Sequence, residues 1–211
     1  FDKYQICTVP KQGKFYIDST EDTIKKILFS GLPWEFSTDL VINKYAKLKT
    51  IVLDIGAHIG THTLALSRAV GEKGLVIAFE PQCKIYRELC MNLKLNGCTN
   101  VIPVHCALGN KDGKIGLITP VAINEGGTYV GGKTQLVNLK KLDDFGLKNI
   151  SFIKMDVENY EDKVLAGAMK TLRDSRPIIL LEIQGNSEQL LSAGGKRRKK
   201  IKATIALLKK M

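Results

Sequence analysis

A chain of 211 residues can bury one sizeable core, and 44% hydrophobic with 25% charged residues is the composition of an ordinary globular protein. It shows no run near the ~18 apolar residues of a membrane span and no secretory signal pattern. Its five cysteines form no CxxC pair, which speaks against a disulfide or thiolate-zinc framework and for a reducing, cytoplasmic setting.

Taken in chain order, residues 1–49 read as a small N-terminal module of hairpin plus helices. Residues 4–9 and 14–17 are short β-like runs around Gly13. Ser19-Thr20-Glu21-Asp22 offers an N-cap and an acidic first turn to a helix reaching Phe29, closed by Gly31 and Pro33. Ser37 or Thr38 would cap a second helix running to about Leu48. Trp34, the single tryptophan, lies between the two and is assigned to core packing rather than to stacking on a ligand. The opening residue, Phe1, points to a domain cut from a longer, multidomain protein or to a trimmed end.

From Thr50 the pattern changes to apolar strand runs alternating with amphipathic helices. Strands are predicted over Ile51–Ile55, Leu75–Phe79, 101–106, 151–155 and 178–183, with helices over Thr61–Val70, 82–95 and 160–173. That alternation implies an α/β fold with a parallel, doubly wound sheet covered on both faces, and ligands at its carboxyl edge. Residues 109–113 read as a surface turn. Residues 119–135, with Gly126-Gly127 and Gly131-Gly132, read as a mobile loop, either a lid or a plain insertion. The chain closes on a helical stretch over 201–210. Of the net charge of +11, eight units fall in 196–211, which holds no acidic residue, leaving +3 for the rest. The run Lys196-Arg197-Arg198-Lys199-Lys200 has no interleaved aromatics, so it is read as a solvated loop and a nucleic-acid partner is not expected.

The first strand ends in Asp54-Ile55-Gly56-Ala57-His58-Ile59-Gly60, and Thr61 opens the helix after it. Glycines here let the backbone turn tightly against a ligand. A dinucleotide site wants GxGxxG, whose middle glycine admits a pyrophosphate; His58 stands in that place, so a phosphate-free nucleoside such as S-adenosylmethionine fits better. The second strand ends in Ala78-Phe79-Glu80-Pro81, and Glu80, 24 residues beyond Gly56, can accept both ribose hydroxyls. The third ends in His105-Cys106-Ala107, which would flank an adenine. The three strand ends together describe a nucleoside site.

With these blocks in place, the sequence resembles the FkbM-like family of S-adenosylmethionine-dependent O-methyltransferases. The resemblance runs over residues 50–184: the turn from Asp54 to Gly60, Ala78-Phe79-Glu80-Pro81, Ala107-Leu108-Gly109, Leu142-Asp143-Asp144, Phe152-Ile153-Lys154-Met155-Asp156-Val157-Glu158-Asn159-Tyr160-Glu161, Val164-Leu165 with Gly167-Ala168, and Leu180-Leu181-Glu182-Ile183. It implies a Rossmann-like class I methyltransferase core over 50–211 and methyl transfer to a hydroxyl, often of a sugar or glycoside. Two features depart from the family. Asn159 stands where it has glycine, although asparagine tolerates left-handed backbone. The fold usually has two more strands after the fifth helix; here a helical stretch ends the chain, so those strands are missing, disordered or replaced and the C-terminal end of the fold is expected to be incomplete.

A sulfonium methyl is already electrophilic, so a hydroxyl acceptor mainly needs alignment and a general base. Asp156, at the end of the fourth strand, is the first candidate; Glu182, Glu158 and His58 are neighbours on the same edge, and His105 is a further alternative. Asp156 and Glu182 could instead hold a divalent cation that acidifies the hydroxyl, although the sequence shows no full ligand set. Two other readings stand beside this one. A nicotinamide oxidoreductase is disfavoured by His58 and by the lack of a Tyr-x-x-x-Lys pair. A non-catalytic cofactor-binding module is disfavoured by the intact Asp156 and Glu182.

Overall fold

A computed structural model of the protein describes residues 4–18, 22–119, 125–132 and 135–182. The basic run 196–200, the terminal helix over 201–210 and the cap candidates Ser19, Thr20 and Glu21 lie outside the described residues.

At the N-terminus, β1 (Gln5–Val9) and β2 (Gly13–Ile17) form an antiparallel hairpin. Cys7, Val9, Phe15 and Ile17 recur at period two and are all buried, so the hairpin has one apolar face that needs a partner. Helix α1 (Thr23–Phe29) is capped by Asp22, whose carboxylate accepts the Lys25 N–H at 3.0 Å. Helix α2 (Phe36–Tyr45) begins before either expected cap, Ser37 or Thr38, and stops short of Leu48. Its N-cap is Glu35, in left-handed backbone at φ 44°, which makes no capping bond because its side chain reaches His62 instead.

The next elements follow the apolar pattern closely: β3 (Ile51–Ile55), α3 (Thr61–Val70), β4 (Leu75–Phe79) and α4 (Cys83–Leu95). Leu89 and Leu93 of α4, with Leu64 of α3, cover the apolar face of the hairpin. Strand β5 (Val101–Val104) ends earlier than expected, because the Cys106 N–H turns back onto the Val104 carbonyl at 3.1 Å and the chain leaves the sheet.

It leaves to build a second sheet that the sequence reading did not anticipate. β6 (Ala107–Leu108), β7 (Gly113–Ile118), a 3₁₀ turn (Glu125–Gly127), β8 (Tyr129–Val130) and β9 (Gln135–Lys140) give four strands in the order β6-β9-β7-β8. Glycines taken there as loop markers serve close contact instead. A Cβ on Gly116 would lie 2.1 Å from the Gly132 carbonyl oxygen, and the Gly131 N–H donates to the Gly116 carbonyl at 2.8 Å. The chain then returns through a second 3₁₀ turn (Leu142–Phe145) to β10 (Ile150–Met155). The helix expected over 160–173 is two helices, α5 (Glu161–Ala166) and α6 (Met169–Ser175), broken at Gly167. A side chain on Gly167 would meet the Gly109 carbonyl oxygen at 1.8 Å, so the break seats α5 against the second sheet. Strand β11 (Ile178–Leu181) ends the described chain.

The main sheet has the order β11-β10-β3-β4-β5, and every neighbouring pair is parallel. One face, carrying Val52 and Phe152, packs on α2 and α3 through Ile42 and Leu66. The other, carrying Leu53 and Ile153, lies with Val164 and Leu165 of α5 and Leu172 of α6. Burial on both faces explains why these strands read as apolar runs, interrupted by the buried Asp54 of β3 and by Ser151 and Lys154 of β10. Strand order reverses between β3 and β10, which opens a crevice outside their carboxyl ends. Among the described residues no helix is long and apolar enough to cross a membrane.

Candidate active site

The crevice is a cavity of about 280 Å³. Its floor is the turn after β3. Gly56 and Ala57 both donate their N–H groups to the Phe79 carbonyl at 3.0 Å, which fastens the turn to β4. Gly56 (φ 80°), His58 (φ 50°) and Gly60 (φ 98°) are all left-handed. Aspartate 54 lies beneath this floor, fully buried: Oδ2 accepts the Thr63 hydroxyl at 2.6 Å, and Oδ1 is 4.0 Å from the Lys154 ammonium. Burial holds the Asp54 carboxyl above its ordinary value.

On the β4 side of the turn, Glu80 is buried and doubly fixed. Its Oε2 accepts the His58 N–H at 2.9 Å and its Oε1 the Gln82 N–H at 2.8 Å, leaving the remaining lone pairs to the cavity. Burial pushes this carboxyl up to about 7, although the two amides oppose the shift. Between its unfolded value of 4.5 and about 7 the folded protein therefore keeps a proton that the unfolded chain has released. Stability should fall as pH rises through that window, by up to roughly 3 kcal/mol. Glu80→Gln is expected to flatten this part of the pH–stability profile and to be more stable than wild type at pH 8. Parallel melting profiles for the two proteins between pH 5 and pH 8 would show that Glu80 is not the group responsible.

His58 faces the same space. Both ring nitrogens are shielded from solvent and, among the described residues, without a hydrogen-bond partner, and burial pulls the imidazole down to about 4, so it is neutral. Cys106 and Ala107 wall this side, with the Cys106 thiol pushed up to about 11 by burial. His105 turns away: it stacks on Tyr86 and bonds the Pro81 carbonyl at 3.0 Å, outside the cavity.

On the β10 side the lining becomes charged. Asp156 has its N–H on the Ile55 carbonyl at 2.9 Å, and its carboxylate lies 3.7 Å from Lys154 Nζ. Glu182 follows β11, its N–H on the Met155 carbonyl at 3.0 Å; burial, then the carboxylates of Asp156 and Glu35, raise it to about 7. Glu158 and Asn159 are both left-handed, at φ 50° and 67°, so asparagine takes up the backbone for which the family uses glycine. Lys154 is buried on the β10 face shared with Phe152 and donates to the Gly56 carbonyl at 3.3 Å. From α3, His62 places Nδ1 3.1 Å from Asp39 and Nε2 3.2 Å from Glu35.

The second sheet supplies a roof, where Gly126, Gly127 and Thr128 line the cavity. The roof is tied down through Glu125, which meets Lys25 at 2.7 Å and also Lys84, while its N–H donates to Asp22 at 2.8 Å. Lys25 is fully buried and also meets Glu88 and Asp18. Asp18, Glu88 and Glu125 are the only three carboxylates among the described residues close enough to share a metal ion, and the Lys25 ammonium sits on all three.

Of the residues singled out in the sequence, Gly56, Ala57, His58, Thr61, Glu80, Pro81, Cys106, Ala107, Asp156, Glu158 and Glu182 line this one cavity, while Asp54 and Gly60 support it from outside. Glu35, His62 and Lys154 were not anticipated, whereas Gly126, Gly127 and Thr128 fall in the stretch 119–135 that the sequence leaves as either a lid or a plain insertion. Only Lys154 left a signal: a cation inside an otherwise apolar, doubly covered strand is anomalous. Trp34 serves both readings, packing half-buried against the hairpin core while lining the cavity.

Residues 54–207 match the family described as the methyltransferase FkbM domain. No curated protein sequence matches the chain significantly. Among solved structures, a methyltransferase FkbM from Methylobacillus flagellatus is similar at 17% identity and TM-score 0.50, covering 83% of this chain and 46% of its own, so the chain spans about half of that protein. Aeropyrum pernix fibrillarin, crystallised with natively bound S-adenosyl-L-methionine, is similar at 11% identity and TM-score 0.54, covering 96% and 88%. An S-adenosylmethionine-dependent O-methyltransferase from Thermotoga maritima gives 14% identity and TM-score 0.51, covering 98% and 62%. At these identities the likeness is one of fold.

Proposed function

Because the chain belongs to the methyltransferase FkbM domain family, whose cofactor is S-adenosylmethionine, we propose that it methylates a hydroxyl group, that of a sugar in a glycan or glycoside. The observation that carries this reading is the set of carboxylates of Asp156, Glu158 and Glu182 gathered at the β10–β11 edge of the cavity, with Lys154 beneath them. A hydroxyl nucleophile needs such an acceptor for its proton, whereas a pre-ionised nucleophile does not.

The lining fits the cofactor. Glu80 is fixed by two backbone amides to accept ribose hydroxyls, Cys106 and Ala107 flank the base, and Gly56 has no side chain where a Cβ would fill the turn. When bound, the cofactor supplies an electrophilic methyl on a cationic sulfur. The protein orients the acceptor hydroxyl toward it, and Asp156 takes the hydroxyl proton as the oxygen attacks. Lys154 holds the Asp156 carboxylate in place, and Glu182, raised toward neutrality, can share that proton before it leaves to water. The roof over Gly126–Thr128 shields the reaction from solvent.

The test is methyl transfer from S-adenosylmethionine onto a panel of free sugars and glycosides, read by mass spectrometry as the gain of one methyl. A methylated glycoside is expected. Methylation confined to amines or thiols in a parallel panel would overturn the hydroxyl reading.

A further inference from the structure

In a parallel sheet every strand starts at the same edge, so the turns before β11, β10, β3 and β4 come side by side at the end of the molecule opposite the cavity. These turns carry Arg176, Lys148, the pair Lys47 and Lys49, and Lys73, all exposed. Neighbouring strands lie about 4.8 Å apart, so the row is about 15 Å long. Against it stand Glu72, in the turn before β4, and Asp174, whose carboxylate is taken by Lys170 at 2.6 Å. None of the five cations in the row forms a salt bridge among the described residues. Helix ends do not account for the lysines. Helices α2, α3 and α6 finish at this edge, and the cations in their last turns are Lys44, Arg68 and Arg173. Lys47, Lys49, Lys73 and Lys148 lie beyond those ends, in the turns themselves.

The middle of the row is apolar and firmly held. Leu48, between Lys47 and Lys49, is 68% exposed. Its turn is nevertheless pinned on three sides. The Thr50 hydroxyl donates to the Lys47 carbonyl at 2.6 Å, the Ser151 hydroxyl to the Thr50 hydroxyl at 2.7 Å, and the Lys49 N–H to the Val70 carbonyl at 2.9 Å. Lys49 is left-handed at φ 62°, a conformation unfavourable for a lysine that the surrounding bonds enforce. At the end of α2, Tyr45 is half-exposed with the Lys44 ammonium over its ring, and Ile178 is exposed two strands away, where β11 starts. Aliphatic side chains thus stand in water among unpaired cations.

We propose that this amino edge docks on an anionic phospholipid bilayer, the cations meeting the headgroups and Leu48 entering the acyl boundary. Charge selects an anionic partner. The aliphatic tip selects a bilayer over a nucleic acid, because Leu48 and Ile178 offer bases neither stacking nor hydrogen bonds. The cavity opens at the other end of the strands, about 17 Å away for a strand of five residues, so it stays accessible while the edge is docked.

Co-sedimentation of the full chain with vesicles tests this at about 0.1 M salt. One set of vesicles is phosphatidylcholine alone, and the other contains phosphatidylserine as well. Wild type is expected to bind the anionic set at least roughly tenfold more tightly. Combining Lys47→Gln, Lys49→Gln, Lys73→Gln and Lys148→Gln should weaken that binding about a hundredfold, and Leu48→Ser alone roughly tenfold. All five positions lie outside the cavity, so melting temperature and S-adenosylhomocysteine affinity should match wild type. Replacing the basic run 196–200 by glutamines is expected to leave the dependence on Leu48 intact. Equal binding to both vesicle sets, or binding lost with the 196–200 run and untouched by the four lysine changes, would overturn the proposal. Lysine dependence without Leu48 dependence would overturn the bilayer assignment, as would tighter binding to a short RNA than to the anionic vesicles.

Discussion

Asp156→Asn is expected to slow methyl transfer by roughly 10²- to 10⁴-fold, the usual contribution of a general base, while S-adenosylmethionine still binds. The substitution is nearly isosteric, and the backbone at this point is set by the Asp156 N–H on the Ile55 carbonyl at 2.9 Å, which an amide side chain does not disturb. What changes is proton affinity: a carboxamide cannot take the acceptor's proton. The Lys154 ammonium, 3.7 Å away, would lose one of its counter-charges, so some loss of stability accompanies the loss of rate. Turnover measured beside cofactor affinity by calorimetry separates the two effects. Wild-type turnover in the variant would remove Asp156 as the base and transfer the role to Glu182, the adjoining carboxyl.

Gly56→Ala should be the most damaging small substitution in the site, destabilising by more than about 3 kcal/mol and abolishing cofactor binding. Two costs combine. At φ 80° an L-residue is strained by roughly 1–2 kcal/mol. The added Cβ would also lie 1.8 Å from the Asp156 carbonyl oxygen, a backbone atom that cannot swing aside. Either β10 or the turn must then retreat, breaking the paired N–H bonds from Gly56 and Ala57 to Phe79 that shape the cavity floor. Gly97→Ala is the internal comparison: φ is 65° there, but nothing lies within 4 Å, so only the backbone cost of about 1 kcal/mol applies. Thermal melts of both variants give the difference directly. Equal losses would mean that β3 and β10 do not approach as closely as described.

These two positions share a cause. Strand order reverses between β3 and β10, so the segments leaving their carboxyl ends meet at one crevice, Gly56 of the turn against the Asp156 backbone. Among the described residues the overall charge of +11 does not extend into this crevice, whose lining includes Glu35, Glu80, Asp156, Glu158 and Glu182 against the single lysine Lys154. An acidic wall of this kind suits a cationic donor and a neutral polyol acceptor better than a polyphosphate.

Much of this was legible in the amino-acid order alone. The run Leu75–Phe79 is apolar throughout, and Ile51–Ile55 apart from Asp54, because both sheet faces are covered, and punctuation on either side set their ends, so β3, α3 and β4 emerged with their true bounds. Gly56, Glu80 and Asp156 were recognisable because each sits at a strand end, where local chain direction already fixes which edge it occupies. The second sheet was hidden, since Gly131 and Gly132 signal flexibility when read along the chain and close contact only when their partner Gly116 is known. The remaining members of the charged half were hidden for a related reason. Glu35, His62 and Lys154 come from the start of α2, from α3 and from β10, and no spacing in the sequence links them. Residue chemistry and short-range periodicity set the strands and the glycine turn; the packing of α2 and α3 on the face of β10 decided which distant charges would meet, because electrostatic pairing depends on separation in space and not along the chain.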